Sequence, residues 1–222
     1  MRTLTFAVAT IGAALAFGCA TQQPAEKPMA AKAEMAQPKP APAKAKPALI
    51  GGASASMLAN TCAGCHGTGG ASTGPATPTI AGLEEEYFVD VMNEYKSGDR
   101  ASTIMGRIAK GYNDEEIAAI AEYYSAMPFA SIRQTSVGPK AKRGAMLHEE
   151  FCEKCHENEG REPEDIVLAG QWMPYVLSTL EDFASGRSKI EEKKMATALK
   201  KMLSAHGAQS LTDLTHFYGS RR

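Results

Sequence analysis

The chain has 222 residues, 44% of them hydrophobic, and a formal net charge of −1 at pH 7. This length suits two domains of modest size, each with a small core that a bound cofactor could enlarge. The near-zero net charge excludes a strongly basic protein and gives no reason to expect a nucleic-acid partner.

The first residues have the pattern of an export signal. Arg2 precedes an apolar run at residues 4–17, which is too short to span a membrane and is followed by small residues. Residues 15–19 (LAFGC) resemble a bacterial lipobox, although Ala16 stands where a leucine is usual. We therefore predict a signal peptide at residues 1–19 and a periplasmic protein, with lipidation of Cys19 as a membrane anchor. Ordinary cleavage nearby, without lipidation, is the alternative.

A compositionally biased segment follows the signal. Residues 21–47 consist almost wholly of Ala, Pro, Lys, Gln and Glu, and they contain no aromatic or β-branched residue after Thr21. Such a segment cannot bury enough apolar surface to fold. We predict a disordered, semi-stiff tether at residues 20–48.

The remaining sequence contains an internal duplication. Two Cys-x-x-Cys-His motifs, at residues 62–66 (CAGCH) and 152–156 (CEKCH), begin 90 residues apart. Each is followed, in the same order, by an Ala-Gly pair, a tyrosine, a Ser-Gly pair, a methionine 39 residues after the histidine, and an aromatic pair. This shared order predicts two domains of one fold, at residues 49–130 and 131–222.

Apolar periodicity predicts helices and almost no strands, and therefore an all-α protein. The predicted helices cover residues 83–96, 113 to about 127, 140–150, 174–184 and 188 to about 205. Asn113 with Glu116, and Ser188 with Glu191, have the spacing of helix-capping boxes. The boundary between the two domains is expected within residues 128–139.

Each motif has the spacing that attaches haem covalently, because two thiols on one turn can add to its vinyl groups and the adjacent histidine reaches the iron. A zinc site would need further Cys or His ligands, and a redox thiol pair would need a thioredoxin-like context. We therefore predict two covalent haems c and two histidine ligands. The attachment residues are Cys62, Cys65, Cys152 and Cys155, and the ligands are His66 and His156.

Two methionines are candidates for the opposite side of the irons. A thioether ligand is typical of electron-transfer cytochromes and raises the reduction potential. Met105 lies in a loop-like stretch, and Met195 has the same offset from its histidine within a predicted helix, where Met202 competes with it. Irons closed by two protein ligands cannot bind a substrate. The expected task is electron transfer, with no catalytic residue in this chain.

Other aromatic and histidine residues are expected to have structural roles. We expect Trp172 to pack near the second haem or at the seam between the domains. His148, His206 and His216 have no counterpart in the first half, so surface or helix-end positions are predicted for them. His148 remains an alternative ligand.

From about Ser56 onward the sequence resembles the dihaem cytochrome subunit of flavocytochrome c sulfide dehydrogenase. The resemblance rests on residues 60–68 (NTCAGCHGT), 102–112 (STIMGRIAKGY), 152–156, 168–172 (LAGQW) and 193–196 (KKMA). It implies two tandem class I cytochrome c domains, each with one covalent haem.

The resemblance also implies partners. An FAD-containing flavoprotein subunit would oxidise sulfide, and this chain would pass the electrons through its haems to a small soluble cytochrome c. Two alternatives stay open. One is a free-standing dihaem shuttle that serves a terminal oxidase. The other is a haem enzyme, such as a peroxidase or a thiosulfate-oxidising cytochrome, which would require an open iron.

Overall fold

The computed structural model describes residues 52–161 and 166–221. The regular elements of these residues are helices, without any β-strand, which confirms the predicted all-α class. No described helix is both long enough and apolar enough to cross a membrane. The predicted signal peptide, Cys19 and the predicted tether lie outside the described residues.

The described residues of the first half form five α-helices around one core, with 3-10 turns at Thr68–Gly70 and Ala109–Gly111. They are α1 (Ala55–Asn60), α2 (Ala63–His66), α3 (Glu85–Ser97), α4 (Met105–Ile108) and α5 (Asp114–Ser125). The capping box at α5 is confirmed: Glu116 N donates to Asn113 Oδ1, and Asn113 N donates to Glu116 Oε2, both at 2.9 Å. Helices α1 and α3 both pack against α5. Their shared core includes Ala59, Phe88, Met92, Ile117, Ile120 and Tyr124.

The second half repeats this plan with five further helices. They are α6 (Gly138–Phe151), α7 (Glu157–Gly160), α8 (Met173–Ser185), α9 (Lys193–His206) and α10 (Gln209–Ser220). Helix α10 packs along α6 and also contacts α8 and α9. The core between them includes Leu147, Val176, Leu199, Met202, Leu214, Phe217 and Tyr218.

The start of α9 corrects one prediction. Ser188 does not cap the helix, which begins at Lys193 after Glu192, whose side chain accepts from Lys194 N. The Ser188 hydroxyl accepts instead from the backbone N–H of Ala101 in the first half, at 3.0 Å. A serine oxygen accepts from any suitably placed donor, and here a contact between the domains takes the place of the local cap.

Both halves close the loop after the Cys-x-x-Cys-His motif in the same way. One glycine carbonyl accepts two backbone N–H groups: Gly70 O from Ile80 and Ala81, and Gly160 O from Leu168 and Ala169. The glycine of the Ala-Gly pair then donates to the last helix of its domain, Gly82 N to Tyr124 O at 2.8 Å and Gly170 N to Tyr218 O at 3.0 Å. The duplication that the sequence predicts is therefore present in the hydrogen bonds of the fold.

Candidate haem-binding sites

Each motif forms one tight turn that brings its functional groups together. Cys65 N and His66 N both donate to Cys62 O, at 3.1 and 2.9 Å. In the second motif the corresponding amides donate to Cys152 O at the same two distances. Two thiols and one imidazole therefore share a single turn in each half, as covalent haem attachment requires.

The thiols in these turns are free cysteines with matched exposure. The first cysteine of each motif, Cys62 or Cys152, is half-buried, and the second is exposed. Burial raises the pKa of Cys62 and raises the pKa of Cys152 to about 11, so both are neutral thiols at pH 7. Among the residues described, no group of three or more His, Cys, Asp or Glu side chains is placed to hold a metal ion.

His66 has the protonation pattern of an iron ligand. Its ring is 8% exposed, and Nδ1 lies 2.9 Å from the carbonyl oxygen of Pro78. A carbonyl can only accept, so Nδ1 carries the hydrogen and Nε2 keeps its lone pair. Burial lowers the pKa of His66, which keeps the imidazole neutral. The free lone pair of Nε2 can therefore bind haem iron, while the Pro78 carbonyl orients the ring through its hydrogen bond to Nδ1.

The structure brings together the two stretches of the first half that carry the resemblance. The hydroxyls of Thr61 and Tyr112 lie 2.6 Å apart, although 51 residues separate them in sequence. Cys62 and Met105 pack against the same core. Met105 is half-buried and begins the one-turn helix α4, where the sequence indicated a loop.

The two methionine candidates of the second half have different surroundings on helix α9. Met195 is half-buried in the first turn. Met202 lies two turns later, is 1% exposed and belongs to the second core together with Leu199 and Phe217. Met195 therefore keeps a partly accessible thioether, whereas Met202 fills the domain interior.

His148 lies in the last turn of α6, which is one of the two predicted positions, but it is buried and not at the surface. Its side chain is 2% exposed, Nδ1 lies 3.0 Å from Tyr218 Oη, and Nε2 contacts the carboxylate of Glu153. The backbone carbonyl of His148 also accepts from Cys152 N, so this residue supports the second motif turn. The missed signal was helical spacing, since Gly144, Leu147 and His148 share the inner face of α6.

Trp172 lies at the seam between the domains, one of the two positions predicted for it. Its Nε1–H donates to the backbone carbonyl of Ser72, at 3.2 Å. Two further bonds cross the seam, from Lys189 N to Asp99 O at 2.7 Å and from Ala101 N to the Ser188 hydroxyl. The two halves are therefore joined by directed hydrogen bonds.

Comparison with known proteins agrees with this fold and these motifs. The cytochrome c family model matches residues 52–127. Cytochrome c-554(548) of Halomonas halodenitrificans is 38% identical over 68 residues, which are 29% of this chain and 82% of that protein. The cytochrome subunit of sulfide dehydrogenase from Chlorobaculum tepidum is 50% identical over 68 residues. That match covers 31% of this chain and only 61% of the Chlorobaculum protein.

Longer matches extend over both halves. Cytochrome c4 of Pseudomonas aeruginosa is 29% identical over 156 residues, 66% of this chain and 78% of that protein. The crystal structure of reduced cytochrome c4 from Pseudomonas stutzeri superposes with a TM-score of 0.64 and 21% identity, over 76% of this chain and 98% of that one. The shared fold is a tandem pair of class I cytochrome c domains.

The fold and the two motif turns define a c-type electron-transfer protein. The chain belongs to the cytochrome c family, whose domains hold covalent haem c.

Proposed function

We propose that the chain binds two haems c, one in each domain. Covalent attachment is through Cys62, Cys65, Cys152 and Cys155. His66 and Met105 in the first domain, and His156 and Met195 in the second, would bind the two irons. When bound, haem supplies one-electron transfer. The protein's own contribution is to hold the His66 imidazole neutral and oriented and to supply apolar side chains around each haem.

We further propose that the chain is the electron-transfer subunit of a sulfide dehydrogenase complex. The observation that carries this proposal is the 50% identity to the Chlorobaculum cytochrome subunit. In this role an FAD-containing subunit oxidises sulfide, and this chain passes the electrons to a small soluble cytochrome c. The chain itself carries out no bond chemistry, because the thiols of both Cys-x-x-Cys-His motifs serve to attach haem.

The surface beside Met105 is the proposed docking site for the flavoprotein. Ile104 and Ile108 are exposed on either side of that methionine, and the basic residues Arg107 and Lys110 are exposed in the same stretch. Exposed apolar side chains bordered by charge are typical of protein interfaces. A partner seated there would lie next to the proposed ligand side of the first haem.

The decisive experiment is rapid mixing of the complex, purified from its native cell, with sulfide. We expect flavin bleaching first and haem reduction after it, because electrons enter through the flavoprotein. An Ile108→Asp chain should co-purify with less flavoprotein, whereas Val137→Asp, which alters another exposed apolar residue, should not. The proposal would be contradicted by a chain that purifies without a flavoprotein and whose haems sulfide reduces no faster than it reduces an unrelated cytochrome.

A free-standing dihaem shuttle is the second candidate, and the match to cytochrome c4 over 156 residues favours it. The same purification separates the two functions. A shuttle elutes without flavin and exchanges electrons with small cytochromes in a bimolecular reaction whose rate rises with protein concentration. A sulfide dehydrogenase subunit elutes with FAD in a fixed ratio and accepts electrons within the complex, at a rate independent of dilution.

We also propose that the protein is exported to the periplasm and anchored through lipidated Cys19, with residues 20–48 as a tether. The sequence pattern supports this proposal. Cys19→Ser should move the protein from the membrane fraction to the soluble fraction after gentle lysis, while its haem content stays the same. A wild-type protein that is already soluble would exclude the anchor and leave the segment as a disordered extension.

A further inference from the structure

One peptide group beside His66 links the two domains. It joins Pro78 to Thr79: its carbonyl oxygen accepts from His66 Nδ1 at 2.9 Å, and its N–H donates to Gln171 Oε1, also at 2.9 Å. Gln171 belongs to the second domain, 92 residues further along the chain. A continuous row of hydrogen bonds therefore runs from the imidazole of the first domain to a side-chain amide of the second.

The amide of Gln171 is held in place from several sides. Its Nε2 donates to Thr79 O at 2.9 Å, and its Oε1 also accepts from Trp172 N at 3.1 Å. Thr79 is fully buried and Gln171 is 4% exposed. The side chain of Gln134 binds the adjoining backbone, with bonds to Gln171 O and from Met173 N. Buried polar groups that are hydrogen-bonded on several sides hold one geometry, so this contact is rigid.

We propose that Gln171 is a positioning residue through which the second domain lowers the reduction potential of the first haem. An acceptor on the Thr79 N–H polarises the peptide and makes the Pro78 carbonyl a stronger acceptor for His66 Nδ1–H. A stronger pull on that proton makes the opposite nitrogen a better electron donor, which favours ferric iron. This role rests on the proposed ligation by His66 and does not depend on the sulfide partner.

The sequence indicates that the influence on reduction potential runs only from the second domain to the first haem. Gln171 immediately follows the Ala-Gly pair of the second domain, and the equivalent position after Ala81 and Gly82 in the first domain is Leu83. A leucine side chain has no amide to offer to the opposite loop. The first domain therefore cannot act on the second haem by the same means, and only one of the two potentials should respond to Gln171.

The test compares three variants of the full dihaem chain in a redox titration that resolves both haems. Gln171→Met keeps the length of the side chain but removes the acceptor and the donor. Gln171→Glu keeps an acceptor for Thr79 N–H and removes the donor. Gln134→Met breaks neighbouring bonds without touching the Pro78–Thr79 peptide. Loss of a methionine ligand lowers a potential, so the Met195→Ala chain shows which step belongs to the second haem.

We expect Gln171→Met to shift the equilibrium of the first haem about threefold toward the reduced form, about 30 mV at 59 mV per tenfold for one electron. The second haem should not move, Gln171→Glu should leave the first potential unchanged or lower it, and Gln134→Met should leave both unchanged. Equal shifts of both haems, or the same shift from Gln134→Met, would reduce Gln171 to a purely structural contact.

Amide exchange in the wild-type chain provides a second test if Gln171→Met does not fold. The Thr79 amide proton should exchange slowly with solvent, and its NMR shift should change when the first haem is reduced. Fast exchange would overturn the proposal. If a ligand other than His66 is found at the first iron, the ligation assignment fails instead, and the wild-type spectrum alone reveals that outcome.

Discussion

His66 Nδ1 donates to a carbonyl of its own domain, and this bond decides which nitrogen is left for iron. The Pro78 oxygen lies 2.9 Å away and can only accept. The sequence predicts the histidine from its motif, but the acceptor lies 12 residues further along, in an irregular part of the following loop. Motif spacing reports chemistry within one turn, whereas the support for that chemistry comes from loop closure, which no local pattern encodes.

The two methionines of α9 have different expected roles, Met195 as the proposed ligand of the second haem and Met202 as a core residue. Met195→Ala should remove about half of the weak near-infrared absorption that methionine-bound ferric haem gives in the wild type, because one of two such ligands is lost. Met202→Ala should keep the band and lower the free energy of unfolding by about 2–5 kcal/mol, because it empties a fully buried site. The measurements are an absorption spectrum and a denaturant titration. The reverse pattern would assign the ligand to Met202.

At the scale of elements, the α6–α10 crossing depends on Gly144. A Cβ built there would lie 2.1 Å from Asp213 O and 2.7 Å from Phe217 Cβ, so α6 can approach α10 this closely only with a glycine. Gly144→Ala should destabilise the protein by about 2 kcal/mol or more, because the added methyl meets backbone that has no room to move. Thermal unfolding of the holoprotein measures the change.

Gly138→Ala is the matched control for this crossing. Gly138 begins the same helix, and a Cβ there has nothing within 4 Å. That substitution should cost much less than Gly144→Ala, because the added methyl meets only the neighbouring Pro139 and the higher helix propensity of alanine offsets part of that cost. If the two alanine variants unfold at the same temperature, the crossing does not require the glycine.

Sequence patterns were sufficient to predict the positions of most helices. Predicted residues 174–184 fall within Met173–Ser185, and Asn113 and Glu116 form their capping box, because periodicity and caps are local properties. Ser188 was assigned to a cap by the same reasoning, and the structure uses it across the seam. His148 lies at the end of a helix as predicted, but its burial was not, because its partner Tyr218 lies 70 residues further along the chain.

At the scale of the molecule, the seam joins residues that the sequence places far apart. Thr79 and Gln171 exchange two hydrogen bonds across 92 residues, and nothing in either local segment predicts the other. The duplication predicts two similar domains but cannot predict how they dock, because docking depends on positions where the copies differ. Gln171 and its counterpart Leu83 are such a pair.

Arg100 is a second contact on which the docking depends. Its side chain is 8% exposed, and Nη1 donates to Glu94 at 2.7 Å. The guanidinium carbon lies 5.8 Å from the centre of the Tyr95 ring and 5.6 Å from that of Phe183, which belongs to the second domain. Burial alone would lower the pKa of Arg100, but the neighbouring tyrosines and Glu94 raise it, so the group stays charged.

Arg100→Met should therefore weaken both the first domain and its contact with the second. It leaves Glu94 of the first domain without its partner, which costs about 3 kcal/mol for a buried ion pair. It also removes the cation that contacts the Phe183 ring of the second domain. We expect the wild-type holoprotein to unfold in one calorimetric transition and the variant in two, because the domains no longer stabilise each other. Arg107→Met is the control, since that arginine is exposed and donates to the Thr103 carbonyl within its own domain. A single transition in both variants would mean that the hydrogen bonds of Gln171, Trp172 and Ser188 hold the domains together without Arg100.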